Sequence, residues 1–185
     1  MNLKSTVLGI FGAAVMTMSM IGGAGAATTQ AEVSVKVGAP DNAVLAASIT
    51  GGAFREVKYR AGNSSQNSDG TITITATDTR GLGTGWNVKL RANGDFIAEG
   101  NKSFSINTFS LQSGSVQGLN SANANGITAQ AIGGVGTSSQ TVLVAQQGSG
   151  MGEFTNTVNG TIKVPDGTLV GDYKTTLTVE ITAGQ

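Results

Sequence analysis

A chain of 185 residues, 39% of them hydrophobic and only 12% charged, is long enough for one domain but too poor in charge for a long-helix or coiled-coil protein. Lys and Arg (11) balance Asp and Glu (11), and the basic residues are scattered, which excludes the basic stripe that nucleic acid requires. With Cys 0 and His 0 there is no disulfide, thiol nucleophile, imidazole base, ordinary zinc site or lipidated N-terminal cysteine, and neither a metal nor a cofactor is expected.

Residues 1–26 read as a secretory signal peptide. Lys4 supplies a positive start, 7–21 is an apolar run, and Ala24-Gly25-Ala26 is a small-x-small cleavage site. A retained membrane anchor is the alternative, since 7–27 approaches spanning length. Cleavage leaves 27–185 as a single domain with no membrane segment. In it, 32–37 alternates Val33, Val35 and Val37 against polar residues, the period of a strand. Two more strands are predicted at 44–50 and 54–60, around Gly51-Gly52. The polar run 62–70, ending N-S-D-G, reads as a turn.

Residues 71–78 give the cleanest alternation, with Ile72, Ile74 and Ala76 on one face and threonines on the other. Gly81, Gly83 and Gly85 then form a flexible connector with Arg80 at its entrance. Beyond it Trp86, Val88 and Leu90 share a face, and Asn87, Lys89 and Arg91 share the opposite one. The pattern predicts a hairpin-like unit with one face on a core. Asn93-Gly94-Asp95 is a turn signal. A strand is predicted at 103–111, either bulged or buried on both faces, because Phe104 and Phe109 fall on opposite sides.

The segment 112–150 is rich in Gly, Ser, Asn, Ala and Gln, with strands at 127–132 and 141–145 between long loops, and is expected to be the most mobile part. Strands at 154–158 and 161–164 lead into the turn Pro165-Asp166-Gly167, where proline presets φ and glycine accepts positive φ. Finally Tyr173, Thr175, Leu177, Val179 and Ile181 alternate with polar partners. Tyr173 resembles the tyrosine at the start of a late strand in Ig-like sandwiches. Many short strands between Gly, Asn and Pro turns make the fold class all-β, an antiparallel β-sandwich, Ig-like or related.

Little of this carries reaction chemistry. Gly81-Leu82-Gly83-Thr84-Gly85 is not a phosphate loop, because a strand rather than a helix follows it. The acid pairs Asp95 with Glu99 and Asp166 with Asp172 sit where turns favour Asp, so solvated turn residues are the default reading. Asn67 and Asp69 lack the dense run of oxygen ligands of a calcium loop. Asp78 and Arg80 are positioned to pair and fix the connector. Trp86 is either a core anchor or a stacking platform for a glycan.

The run D-T-R-G-L-G-T-G-W-N-V-K-L, preceded by I-T-I-T-A-T, resembles the first signature of the WxL-domain family of Gram-positive cell-surface proteins. The end, V-P-D-G-T-L-V-G-D-Y-K-T-T-L-T-V-E-I-T, resembles that family's closing segment. Trp86-Asn87-Val88 stands where the family has Trp-x-Leu, and Val179-Glu180-Ile181 stands where a second Trp-x-Leu is expected. The resemblance implies an exported, non-enzymatic protein held non-covalently on peptidoglycan or another wall polymer, or on a partner surface protein. The absence of an apolar tail or sorting motif before Gly184-Gln185 agrees with that expectation. Trp86, Asn87, Val88, Arg80 and Tyr173 are the expected contact residues. The alternative is a self-associating subunit of an extracellular matrix or fibre, built through paired edge strands.

Overall fold

The computed structural model describes residues 37, 41–58, 62 and 64–184. The signal peptide expected at 1–26, the strand expected at 32–37 apart from Val37, and the end of the one expected at 54–60 lie outside the described residues. Among the described residues eleven strands run in chain order: β1 (Leu45–Phe54), β2 (Gln66–Asp78), β3 (Trp86–Ala92), β4 (Phe96–Ala98), β5 (Lys102–Phe104), β6 (Phe109–Leu111), β7 (Ser115–Leu119), β8 (Ile127–Ala129), β9 (Gln140–Ala145), β10 (Gly152–Val164) and β11 (Leu177–Ala183).

They form a β-sandwich. One sheet has the order β1-β2-β10-β6, with β7 continuing the edge beside β10. The other has the order β11-β3-β9-β8, and β4 with β5 makes a small ribbon. Every pairing is antiparallel. The core lies between the inward faces, where Ile72, Ile74 and Ala76 of β2 meet Trp86, Val88 and Leu90 of β3 and Phe154, Val158 and Ile162 of β10. The outward threonines of β2 do useful work too, as the Thr73 and Thr157 hydroxyls share a hydrogen bond of 2.9 Å across the strands.

The stretch 71–90 is not a hairpin. β2 and β3 belong to different sheets, and the connector between them arches over one end of the sandwich. Both strands present their apolar faces to one core from opposite sides, which a hairpin within one sheet would not require. Gly81, Gly83 and Gly85, with φ of 69°, 61° and 71°, make the arch possible.

The other differences from the sequence reading have local causes. Gly51 and Gly52 do not separate two strands. They form an irregularity inside β1, where Gly51 lies so close to the β2 backbone that a Cβ would press on the Thr71 carbonyl. The strand stops at Phe54, so 55–58 is irregular. The polar stretch Gln66 to Gly70 is strand rather than turn, because it pairs residue for residue with Gly160 to Val164. Cross-strand partners there outweigh a turn-like composition.

The strand expected at 103–111 breaks into β5 and β6 around a 3-10 turn, Ile106–Thr108, capped by Ser105. That break resolves the opposed faces of Phe104 and Phe109. Within 112–150 the strand expected at 127–132 shortens to β8, the one expected at 141–145 is present as β9 with Gln140 added, and β7 appears where none was expected, against β10. Finally, 154–158 and 161–164 are one strand, β10. The last strand begins at Leu177, while Lys174 makes only an isolated bridge to Ile97.

Candidate functional site

The expected contact residues divide between the two ends of the sandwich. Trp86, Asn87, Val88 and Arg80 gather at the arch. Tyr173 lies at the other end, near the start of β2. The thirteen residues of β2 separate the two by roughly 40 Å at the usual rise per residue.

At the arch end, Trp86 and Val88 are 0% exposed. The indole N–H of Trp86 donates to the Gly150 carbonyl oxygen at 2.8 Å, and its ring lies 6.1 Å from that of Phe154 on the opposite sheet. Gly150, at φ 78°, must be glycine, because a Cβ there would run into the indole. Trp86 therefore anchors the loop 146–151 from beneath, and within Trp86-Asn87-Val88 only Asn87 keeps surface, on the outer face of β3.

The arch itself is tied down on both flanks. The Gly148 N–H donates to the Gly83 carbonyl at 2.7 Å and the Gly184 N–H to the Gly85 carbonyl at 2.9 Å. Arg80 closes on Asp78 in a bidentate pair, Nε to Oδ1 at 2.9 Å and Nη2 to Oδ2 at 2.8 Å, and its backbone N–H adds a third bond to Oδ1. Burial pushes the Asp78 carboxyl up, but these hydrogen bonds and the guanidinium charge outweigh it and hold the group below its ordinary value. The same partner raises Arg80. Asp78 and Arg80 thus pair as the sequence suggests, which leaves the guanidinium largely occupied.

The surface that remains at this end lies partly on the Gly81–Gly85 connector, which the sequence does single out, and partly on Met151, which it does not. Leu82 is 65% exposed and Met151 47%, and the Met151 sulfur sits beside Gly83. A leucine between glycines in a loop was the available signal for Leu82. Met151 carried none, since its neighbours identify only a turn.

Tyr173 donates its hydroxyl hydrogen bond to the Leu169 carbonyl oxygen at 2.8 Å, four residues upstream, in the manner of a tyrosine corner. Its ring lies 4.9 Å from that of Phe104. Two of the acidic residues read as turn formers have structural partners, Asp95 accepting from the Ile106 N–H and Asp166 from the Gly167 N–H, and Asp69, weighed above as a calcium ligand, accepts from the Thr161 hydroxyl.

The two family-like segments are neighbours. β11 pairs with β3 so that Val179 lies beside Leu90, Ile181 beside Val88 and Ala183 beside Trp86. Val179-Glu180-Ile181 therefore extends the same inward face that Trp86 begins.

Comparison with known proteins agrees with this arrangement. A family model described as WxL domain, surface cell wall-binding, matches residues 24–184. No match to the chain was found among curated proteins. Among solved structures, a family 123 glycoside hydrolase from Clostridium perfringens, described in work on glycolipid glycan hydrolysis, is similar at 18% identity and a TM-score of 0.39. The similarity covers 76% of this chain and 25% of that one, so the chain spans about a quarter of the hydrolase's length. At that level it carries neither fold nor activity across. The family match takes in both Trp-x-Leu positions and all the strands, and the chain belongs to the WxL domain family of surface cell wall-binding proteins.

Proposed function

We propose that this is an exported, non-enzymatic protein that attaches non-covalently to a polymer of the cell wall, making its contact through the surface of the arch. The observation that carries the reading is the family match over 24–184, which applies the wall-binding description to the whole sandwich rather than to a fragment. The arch suits such a contact in physical terms. Its backbone is fixed by the Asp78–Arg80 pair and by the anchor of Trp86, so little loop entropy is lost on binding. Leu82 and Met151 supply exposed apolar area, and Asn87 supplies a donor and an acceptor on the adjoining face. Trp86 and Val88 contribute by holding this surface in place.

The test is sedimentation of the exported protein with purified cell walls, comparing wild type with a Leu82→Asp/Met151→Asp variant. Both side chains are exposed, so the variant is expected to keep its melting temperature. Wild type should pellet with the walls and be released intact by denaturant, and the variant should pellet more weakly. Wild type that stays in the supernatant sinks the attachment reading. Equal pelleting of the two moves the contact away from the arch.

A further inference from the structure

At the end opposite the arch the sandwich opens into a cleft of about 1560 Å³. One wall is the end of β1 and the irregular segment after it, carrying Phe54, Glu56 and Lys58. The other is the segment 165–177 with β4 and β5, carrying Phe104, Lys102 and Tyr173. From these features we infer that the cleft is a second binding site, which takes a saccharide chain with no strong net charge.

Its floor is aromatic. Phe54 meets Phe109 edge-on at 5.4 Å, Phe109 meets Phe96 at 6.3 Å, Phe96 stacks on Phe104 at 4.8 Å, and Phe104 meets Tyr173 at 4.9 Å. The five rings come from separate segments and join the cleft to the core. Phe96 and Phe109 are buried, whereas Phe54, Phe104 and Tyr173 keep part of their surface and line the walls. Three of the exposed large hydrophobic residues lie on the same cleft: Ile97 at 59%, Leu169 at 61% and Val170 at 72%. Exposed apolar side chains gathered on one cleft are a feature of binding surfaces.

The chemistry selects the ligand. Among the described residues of the walls, four basic side chains, including Lys58 and Lys102, are balanced by four acidic ones, including Glu56 and Asp172. A polyanion such as a polyphosphate would meet as much repulsion as attraction there, and a wholly apolar chain would leave eight charged groups to be desolvated. A sugar ring suits both features, because its C–H faces lie on aromatic rings while its hydroxyl and amide edges take the polar rim. At about 1560 Å³ the cleft is open along one side and has room for more than one sugar ring. The wall reading supplies a source for such a chain, but the site itself rests on its own geometry.

The experiment compares four forms of the exported protein: wild type, the exposed-residue variant Glu56→Ala/Lys58→Ala, the blocking variant Val170→Trp, and the arch variant Leu82→Asp/Met151→Asp. Each is tested by sedimentation with purified peptidoglycan and by NMR titration with soluble, peptide-free glycan strands prepared from it. The expected result is that glycan strands shift the amide signals of cleft residues in wild type and in the arch variant. Val170→Trp should bind them about tenfold more weakly, the loss typical of a central contact, and Glu56→Ala/Lys58→Ala about threefold more weakly, as for exposed rim groups. A melting temperature within the wild-type range shows that each cleft variant is folded.

Unshifted cleft signals, or cleft variants that bind like wild type, overturn the site. A response to soluble wall peptides but not to glycan strands overturns the choice of ligand. Failure of wild type to sediment, with the glycan shifts intact, removes the wall-attachment reading and leaves the cleft standing.

Discussion

At the scale of single residues, the Asp78–Arg80 pair shows most directly how the arch is held. The Asp78 side chain is 0% exposed and that of Arg80 20%, so the pair is shielded from water well enough to count energetically. Arg80→Ala would leave the carboxylate buried without a partner and is expected to cost about 2–3 kcal/mol, less than for a deeply buried pair because Arg80 keeps some solvent. Since Asp78 lies below its ordinary value of 3.8 when folded, its contribution is fully present above that pH and fades as pH falls through the folded value. Asp78→Asn should therefore lower stability at neutral pH and flatten the loss of stability on acidification. Urea unfolding at a series of pH values checks both, and an unchanged acid limb would show that the pair does not matter. The pair itself was legible in the sequence, because the two residues stand two apart at the entrance of the connector. Asn156 was not. It occupies an inward position of β10 between Phe154 and Val158, and neither amide atom has a hydrogen-bond partner among the described residues. Alternation identifies which way a residue points, but gives no reason for an amide to point inward. Its burial costs stability that an apolar residue would not.

At the scale of elements, the arch explains both a success and a failure of sequence reading. The strands on either side of it were legible because each alternates with period two over at least seven residues. Their relation was not, because alternation reports one strand's buried face and says nothing about which sheet that strand joins. β3 takes β11 and β9 as neighbours, and their pairing residues lie far along the chain. The same limit hid β7 and the strand character of Gln66 to Gly70, whose partners are on β10. The glycines of the arch are not equivalent either. At Gly81 a Cβ would meet open space, whereas at Gly85 it would strike the Ala145 carbonyl oxygen. Gly81→Ala is therefore expected to cost about 1 kcal/mol, from its positive φ alone. Gly85→Ala should cost roughly 3 kcal/mol, because the clash with a neighbouring strand adds to the strain. Thermal unfolding of the two variants separates them, and equal losses would mean that the arch yields freely at both positions.

On the scale of the whole molecule, the architecture was more legible than the sites. Turn residues and β-branched runs recur along most of the chain beyond residue 27, so a sandwich could be read without knowing its topology. Both candidate surfaces, by contrast, arise from segments that meet only in three dimensions. The cleft joins 54–58 to 96–104 and 165–177, and the arch rests on 146–151. What unites the ends is a core shared by both sheets. Trp86 on one sheet packs against Phe154 on the other, and the rings around Phe109 join the sheet of β10 to the ribbon of β4 and β5. Neither sheet has an apolar face that it can bury alone, so the sandwich should unfold as one unit. The chain has Trp 1, and Trp86 is wholly buried, so its fluorescence reports the arch end specifically. Far-UV circular dichroism reports strands throughout. In denaturant the two signals are expected to share one midpoint and one slope. A fluorescence transition well ahead of the dichroism would show the arch opening while the cleft end stays folded. The two surfaces would then belong to separate cooperative units, and binding at one could not stabilise the other.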